Sequence, residues 1–288
     1  MVGENKAIDP RRFFVVTFAL FSNGESSSPS NTPEPYNGPY FPRVSYEDNV
    51  RAQYTVLTQE LNIAEVFAVI GFSMGGQQAY YWPVMYPDLV KKFIPICGSA
   101  RTSPHNQCFL EGPKAALLAS KDFNGGHYMS KPQHGIRAFG RVYSAWAYGQ
   151  AWFRERGYLY DGKYTDLNDF LRSDWEGGFL EEWDANDLLT LLDTWYTGDI
   201  SAVSTLDSSL RGDLVGALRT ITAKGLIMPC KTDLYFPPED SEAEVGAMGA
   251  QVAQLVVIPS VWGHMAGGGS NDKDDQFIFQ HIQEFLGS

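Results

Sequence analysis

Residues 66–82 constrain the chain more than any other stretch. An apolar, β-branched run, Val66-Phe67-Ala68-Val69-Ile70, leads into Gly71-Phe72-Ser73-Met74-Gly75. Gly76-Gln77-Gln78-Ala79-Tyr80-Tyr81-Trp82 then reads as the start of a helix. Strand, tight G-x-S-x-G turn and helix in succession are the setting of a nucleophile elbow, where a serine on a sharp, strained turn is lifted to the top edge of a sheet. The glycines are needed because side chains beside the serine are expected to collide with neighbouring strands. The pentapeptide alone also occurs as a small-residue turn, so the flanking pattern is what points to a catalytic Ser73.

The rest of the chain reads as α/β with a mainly parallel sheet flanked by helices. Phe13-Phe14-Val15-Val16-Thr17-Phe18-Ala19 has the composition of a buried strand, and a loop rich in Ser, Pro, Asn and Gly follows over 22–42. Val50, Tyr54, Leu57 and Leu61 recur at helical spacing across 46–61. Further strands are predicted at 93–97, 225–230 and 254–258, with helices at 239–248 and 273–286. Strands alternating with helices imply parallel pairing. Between about 100 and 210 that alternation stops and aromatics become dense, among them Tyr143, Trp146, Trp152, Trp175, Trp183 and Trp195. The expected organisation is a core of 1–99 and 211–288 with a helical insertion, a lid, at 100–210. The aromatics there suit an ordinary core or a substrate box.

Of 288 residues, 44% are hydrophobic and 19% charged, a composition that buries a sizeable core. A net charge of −12 without a long basic run argues against nucleic acid or an anionic membrane as a partner. Cys97, Cys108 and Cys230 are too few and too scattered for a disulfide framework or a zinc site, and Cys97 and Cys230 read as buried thiols. No H-E-x-x-H or Cys/His pair suggests a metal. There is no signal-like start, no apolar run of membrane-spanning length and no peroxisomal C-terminal tripeptide, so a cytoplasmic location is the default expectation.

A serine hydroxyl needs a base to take its proton, and the base needs an acid to orient it. With an elbow of this kind the expected chain order is serine, acid, histidine. Asp233 follows the strand predicted at 225–230 and His264 the strand predicted at 254–258. A turn-capping aspartate and a polar loop histidine are the plainer readings of these two. Glu239 and Asp240 are rivals for the acid, but they lie deeper into the next helix. His105, His127 and His134 fall in the insertion and His281 within the last helix, so none follows a strand at the right end of the sheet.

With these three residues placed, the chain resembles the homoserine O-acetyltransferase-like branch of the α/β-hydrolases over nearly its whole length. The resemblance is carried by Ala7-Ile8-Asp9-Pro10-Arg11-Arg12-Phe13, Phe41-Pro42-Arg43-Val44-Ser45, Asn49-Val50-Arg51-Ala52-Gln53, Ser73-Met74-Gly75-Gly76-Gln77-Gln78 and Tyr86-Pro87-Asp88. Asn124-Gly125-Gly126-His127-Tyr128 and Asp184-Ala185-Asn186 add to it. It implies the α/β-hydrolase fold, Ser73 as acyl-accepting nucleophile, Asp233 as acid, His264 as base, and the insertion as a lid over a tunnel. The Met74 N–H becomes an oxyanion-hole donor. Family enzymes move an acetyl group from acetyl-CoA to a hydroxyl through an acyl-serine, and relatives pass the acyl group to water. No resident cofactor is implied; acetyl-CoA enters as a co-substrate if transfer operates. A small-molecule acyl substrate is the expected partner, and a homodimer is compatible with the resemblance.

Departures from the family pattern bear on the substrate. Homoserine enzymes carry an arginine in the segment that here reads Glu111-Gly112-Pro113-Lys114-Ala115-Ala116, and a lysine offers a point charge in place of a planar fork. They also carry an aspartate directly after the catalytic histidine, where this chain has Met265. Both anchors of a zwitterion are altered, so a less polar substrate than homoserine is expected. Arg101 and Lys114 are candidates for the pocket mouth, with solvated charges as the alternative. The segments 99–106 and 236–241 resemble a fungal subgroup with members in secondary-metabolite pathways, including those for plant toxins.

Three N-terminal strands of the resembled fold have no counterpart. The third normally lies between the 13–19 and 66–70 strands and leads into the loop that supplies the second oxyanion donor. The expectation is therefore a truncated chain, or else direct pairing of 13–19 with 66–70. Three readings follow. They are hydrolysis of an ester or thioester of a small, largely apolar acid, acetyl transfer from acetyl-CoA to a hydroxyl-bearing metabolite, and a non-catalytic protein on the same scaffold.

Overall fold

The computed structural model describes residues 1–287. In chain order its principal elements are α1 (Tyr46–Thr55), β1 (Val66–Phe72), α2 (Met74–Met85), β2 (Val90–Ile96), α3 (Pro104–Leu118), α4 (Gln133–Tyr143), α5 (Ala185–Tyr196), β3 (Lys224–Ile227), α6 (Pro238–Met248), β4 (Ala253–Leu255) and α7 (Asp272–Gly287). The chain divides into two compact units. One comprises Met1–Phe18, Tyr46–Arg101 and Gly198–Ser288, the other Ala19–Ser45 and Thr102–Thr197. No helix among the described residues is long and apolar enough to cross a membrane.

The first unit is built on a parallel sheet in the order β1-β2-β3-β4. Val66 pairs with Val90 and Phe72 with Ile96, so β1 and β2 run in register along their whole length. β3 joins β2 through Lys92 with Lys224 and Phe93 with Gly225, and β4 joins β3 from Gly225 with Ala253 to Ile227 with Leu255. Gly225 is glycine for a steric reason: a Cβ there would lie 2.8 Å from the Phe93 ring. Alternate residues of the central strands serve opposite faces. Phe93 and Ile227 join one buried cluster with Tyr80, Tyr81 and Trp82 of α2, Val50 of α1 and Met248 of α6. Ile94, Ile96, Leu226 and Met228 join another with Ile278, Ile282 and Phe285 of α7. Helices therefore cover both faces, as a parallel sheet requires.

The expected strand at 13–19 is not formed. Residues 13–19 hold no ladder, and Phe14 stands 78% exposed. Phe13 instead lays its ring on Phe67 of β1 (centroids 5.6 Å apart, 18° between planes), while Val16 and Phe18 pack partly against the α1–α2 cluster. The apolar run finds burial through side chains, without an edge to pair with. Direct pairing of 13–19 with 66–70 is thus absent, and β1 ends the described sheet.

The second unit is helical, and its membership corrects the expected boundaries. Residues 19–45 belong with it rather than with the sheet, and 198–210 belong with the sheet. The reason is hydrogen bonding between residues 30–44 and α5. Asp187 accepts from the Ser30 N–H (2.9 Å) and Ser30 Oγ (2.6 Å), and Thr194 Oγ1 donates to the Val44 carbonyl (2.8 Å). Asp184 caps α5 by accepting from the Asn186 and Asp187 N–H groups. The core is a stack of rings. Tyr148 and Trp152 lie face to face at 3.7 Å and 8°, with Phe170, Tyr160 and Phe153 set edgewise or tilted around them.

Candidate active site

β1 delivers Ser73 directly into α2, and the chain reverses at the serine itself. Ser73 has φ 57° and ψ −122°, a conformation that non-glycine residues rarely adopt. Its N–H donates to the Ile96 carbonyl of β2 (2.9 Å), and its carbonyl accepts from the Gln77 N–H (2.9 Å), so both neighbours hold the turn. The steric role of the glycines differs from the expectation in detail. A Cβ on Gly71 would fall 2.0 Å from the Gly75 carbonyl oxygen, a clash within the turn itself. One on Gly76 would fall 2.9 Å from the Ile96 oxygen of the neighbouring strand. A Cβ on Gly75 would meet nothing within 4 Å.

The other two residues arrive on loops that follow β3 and β4. Beyond these strands the chains stay paired through a bridge of Cys230 with Ile258, and then part. Asp233 is buried, and its Oδ1 accepts from the Tyr235 N–H (2.8 Å) and the Phe236 N–H (3.0 Å). Its Oδ2 lies 2.8 Å from His264 Nδ1. His264 Nε2 lies 2.8 Å from Ser73 Oγ. An ionised carboxylate only accepts, so it holds the imidazole proton on Nδ1 and leaves Nε2 as the acceptor facing the serine. The three residues, distant in sequence, form one continuous relay.

Rings wall the imidazole on several sides. Phe72 stacks on it (4.8 Å, 29°), Tyr235 meets it edge-on (4.9 Å, 80°) and Phe236 is tilted against it (5.6 Å, 35°). Phe72 is the residue just before the nucleophile, and Tyr235 and Phe236 are those whose N–H groups hold Asp233. Sequence reasoning gave none of the three a role, although their positions beside Ser73 and Asp233 were a usable signal. It also placed Cys97 only as a buried thiol. Cys97 lies at the end of β2 with φ 46°, and its Sγ is within 4.8 Å of the Asp233 and His264 ligand-type atoms. Burial, reinforced by the Asp233 charge, pushes this thiol well above the usual range and keeps it protonated. Both nitrogens of His264 already face Asp233 and Ser73, so the hydrogen-bonded line runs through these three residues and Cys97 lies beside it.

Met74 is the first residue of α2, where backbone N–H groups have no partner within the helix and the dipole favours negative charge. Met265 follows His264 and is half-buried. Arg101 is engaged within the first unit, with Nε 2.9 Å from Asp199 Oδ2 and Nη2 donating to Ser201 Oγ (2.6 Å) and the Gly212 carbonyl (3.0 Å). Lys114 is engaged within the second unit, 3.1 Å from Asp193 Oδ1.

A serine on a strained strand–helix turn, joined through hydrogen bonds to a histidine and an aspartate on the loops after later parallel strands, defines an α/β-hydrolase. Comparison with known proteins agrees: the alpha/beta hydrolase fold family matches residues 3–123. A probable esterase of Corynebacterium glutamicum is 33% identical over 270 residues, covering 92% of this chain and 74% of that protein. The ethyl acetate hydrolase of Pseudomonas veronii is 31% identical over 293 residues, covering 100% and 80%. A homoserine O-acetyltransferase of Methanosalsum zhilinae is 31% identical over 287 residues, covering 92% and 56%. Among solved structures, an acetylester hydrolase from Corynebacterium glutamicum superimposes with a TM-score of 0.93 at 31% identity, over 100% of this chain and 80% of that one. The chain belongs to the α/β-hydrolase superfamily, with homology to esterases and to homoserine acetyl- and succinyltransferases. It is an enzyme of that fold, of the serine hydrolase or O-acyltransferase kind.

Proposed function

We propose that the protein hydrolyses an ester or thioester of a small, largely apolar acid through an acyl-serine. The observation that carries this reading is the unbroken relay Ser73–His264–Asp233, with both hydrogen bonds at 2.8 Å. Ser73 Oγ attacks the substrate carbonyl while His264 Nε2 takes its proton. Asp233 stabilises the imidazolium that forms. The Met74 N–H, at the positive end of α2, donates to the oxyanion. His264 then returns its proton to the departing alcohol or thiol, leaving an acyl-serine. Water, deprotonated by His264, attacks the acyl carbon; the bond to Oγ breaks, His264 returns the proton to Oγ, and the acid leaves with Ser73 restored.

Relatives named for acetyl-ester and ethyl acetate hydrolysis favour a short acyl group. The substitution of both zwitterion anchors, by Lys114 and Met265, favours a substrate other than homoserine. A place in fungal secondary metabolism rests on the resemblance of 99–106 and 236–241 alone. Relatives named as homoserine O-acetyltransferases support a second reading, acetyl transfer from acetyl-CoA to a hydroxyl-bearing metabolite. The two share the acyl-serine and differ in whether water or an alcohol attacks it. A third reading, a non-catalytic protein on the same scaffold, rests on residues 13–19 forming no strand beside β1.

Intact mass after incubation with a serine-directed fluorophosphonate tests the proposal. One adduct on the wild type and none on Ser73→Ala is expected. Its absence from a folded wild type overturns the reading in favour of the non-catalytic one. Consumption of acetyl-CoA accelerated by an added alcohol would favour transfer over hydrolysis.

A further inference from the structure

The acid and the base stand on separate loops, and the hydrogen bond between them does not by itself fix where those loops lie. The Thr232 hydroxyl, one residue before the acid, spans to the loop of the base. Its Oγ1 donates to the Ser260 carbonyl (2.9 Å) and accepts from the Gly263 N–H (3.1 Å). Gly263 immediately precedes His264 and has φ 62°, a left-handed conformation that glycine adopts without steric cost. One hydroxyl thus grips both ends of the 260–263 turn, using its donor at one end and its acceptor at the other.

The far side of that turn is also tied down. Ser260 Oγ accepts from the Trp262 N–H (3.1 Å) and donates to Asp274 Oδ2 (2.6 Å) near the start of α7. The Asp274 N–H in turn donates to Asn271 Oδ1 (3.0 Å). The histidine loop is therefore held from α7 on one side and from the acid loop on the other. The Lys231 N–H to the Ile258 carbonyl (3.0 Å) and the Cys230 thiol to the Ser260 carbonyl (3.7 Å) tie its start, and Thr232 adds the tie to Gly263, next to the base.

We propose that Thr232 is a positioning residue that sets the separation of Asp233 and His264, an inference that rests on the acyl-serine reading above. Valine at 232 would preserve the shape while leaving the Gly263 N–H unpaired and the Ser260 carbonyl with only the weak Cys230 thiol donor (3.7 Å), so the turn before His264 would loosen. A displacement of about 1 Å in a catalytic group can cost about 100-fold in rate.

The test compares Thr232→Val and Thr232→Ser with the wild type on p-nitrophenyl acetate, alongside melting temperature and the low-field proton resonance of the His264 Nδ1–H. For Thr232→Val, kcat is expected to fall about tenfold or more with KM within about twofold, and the resonance to be lost or broadened. Thr232→Ser, which keeps the hydroxyl, is expected to restore both. A valine variant with an unchanged resonance and kcat within about twofold of the wild type overturns the proposal, as does a serine variant as impaired as the valine one. If Thr232→Val does not fold, Thr232→Ala is read in its place by the same criteria. A wild type that neither labels with fluorophosphonate nor turns over overturns the functional reading instead. The resonance then decides the inference alone: lost in valine and kept in serine supports it, and kept in both overturns it.

Discussion

In the sheet-bearing unit, large rings do two kinds of work. Tyr80, Trp82 and Phe93 build the core, while Phe72, Tyr235 and Phe236 wall the imidazole of His264. In the helical unit the rings are the core itself, with Tyr148 on Trp152 at its centre. Side chains of the same chemistry thus face polar groups in one place and one another in the other, and the difference comes from what backbone lies beside them. Parallel strands end in loops that project polar groups to one edge, so rings there face a serine, a histidine and a carboxylate. Packed helices satisfy their own backbone and leave rings to face rings. Substitutions in the two units should therefore separate activity from stability.

The largest separation is expected at the triad. Ser73→Ala should abolish turnover of an activated ester, a loss of about 10⁴-fold or more. Its melting temperature should stay near that of the wild type, because it removes one hydroxyl from a turn held by backbone. Asp233→Asn should cost about 10⁴-fold. Its carbonyl can still accept from the Tyr235 and Phe236 N–H groups, while its NH₂ would face Nδ1 and impose the wrong tautomer. Near-wild-type kcat in either variant would remove the chemistry from the sheet-bearing unit and collapse the contrast.

Trp152→Ala is the opposing case. Trp152 is 2% exposed, and removing a ring of this size from a packed core typically costs about 3–5 kcal/mol. The site leaves no slack: a Cβ on Gly157 would fall 2.3 Å from the Trp152 Nε1. Denaturant unfolding should show the loss, with Ser73 still labelled in whatever fraction remains folded. A variant with wild-type stability and altered substrate preference would mean that the aromatic stack acts on substrate after all.

Much of this was legible in the sequence, for identifiable reasons. The elbow is written in consecutive residues, and strand ends followed by Asp233 and His264 locate the partners once the chain order is known. The failure at 13–19 has a physical cause. Phe13–Phe18 and Val66–Ile70 have similar composition, yet only the second acquires a partner strand, and pairing is a property of two segments. The 22–42 loop joins the helical unit because its ties run to Asp187 of α5, more than a hundred residues away, which spacing along the chain does not show. The Thr232–Gly263 contact and the approach of Cys97 to the triad depend on how strand ends align across the sheet, which one-dimensional spacing does not encode. Glu244 was hidden by company: among Glu239, Asp240 and Glu242 it looks like one more solvated helix charge.

Glu244 is in fact buried between Tyr80 OH (2.6 Å) and the Ala100 N–H (2.6 Å), within the sheet-bearing unit. Burial pushes its carboxyl from 4.5 up to about 8. Between those values the unfolded chain has released this proton and the folded chain retains it. Stability from this group is therefore lost as pH rises from about 4.5 to about 8, by at most about 1.4 kcal/mol per unit. Glu244→Gln should flatten that part of the stability–pH curve and be the more stable form at pH 8. Parallel curves for the two proteins would mean that the carboxyl is not held neutral, and that the sheet-bearing unit tolerates a buried charge between Tyr80 and Ala100.

The smallest effect is expected at Lys114, and it bears on where the substrate is read. Its ammonium lies 3.1 Å from Asp193 Oδ1, with side-chain exposures of 31% and 42%, so the pair is partly hydrated. Pairs of this kind contribute about 0–1 kcal/mol. Lys114→Met should change stability within that range. If the lysine serves only Asp193, KM for a neutral acetyl ester should stay within about twofold. A severalfold rise in KM at constant kcat would instead make Lys114 a substrate contact and give the helical unit a share in recognition. Lys114→Arg sharpens the test. The guanidinium can hold Asp193 as well as lysine does and adds the planar fork suited to a carboxylate. Selective improvement toward a carboxylate-bearing ester over a neutral one would show that the lysine of this chain marks a shift away from zwitterionic substrates.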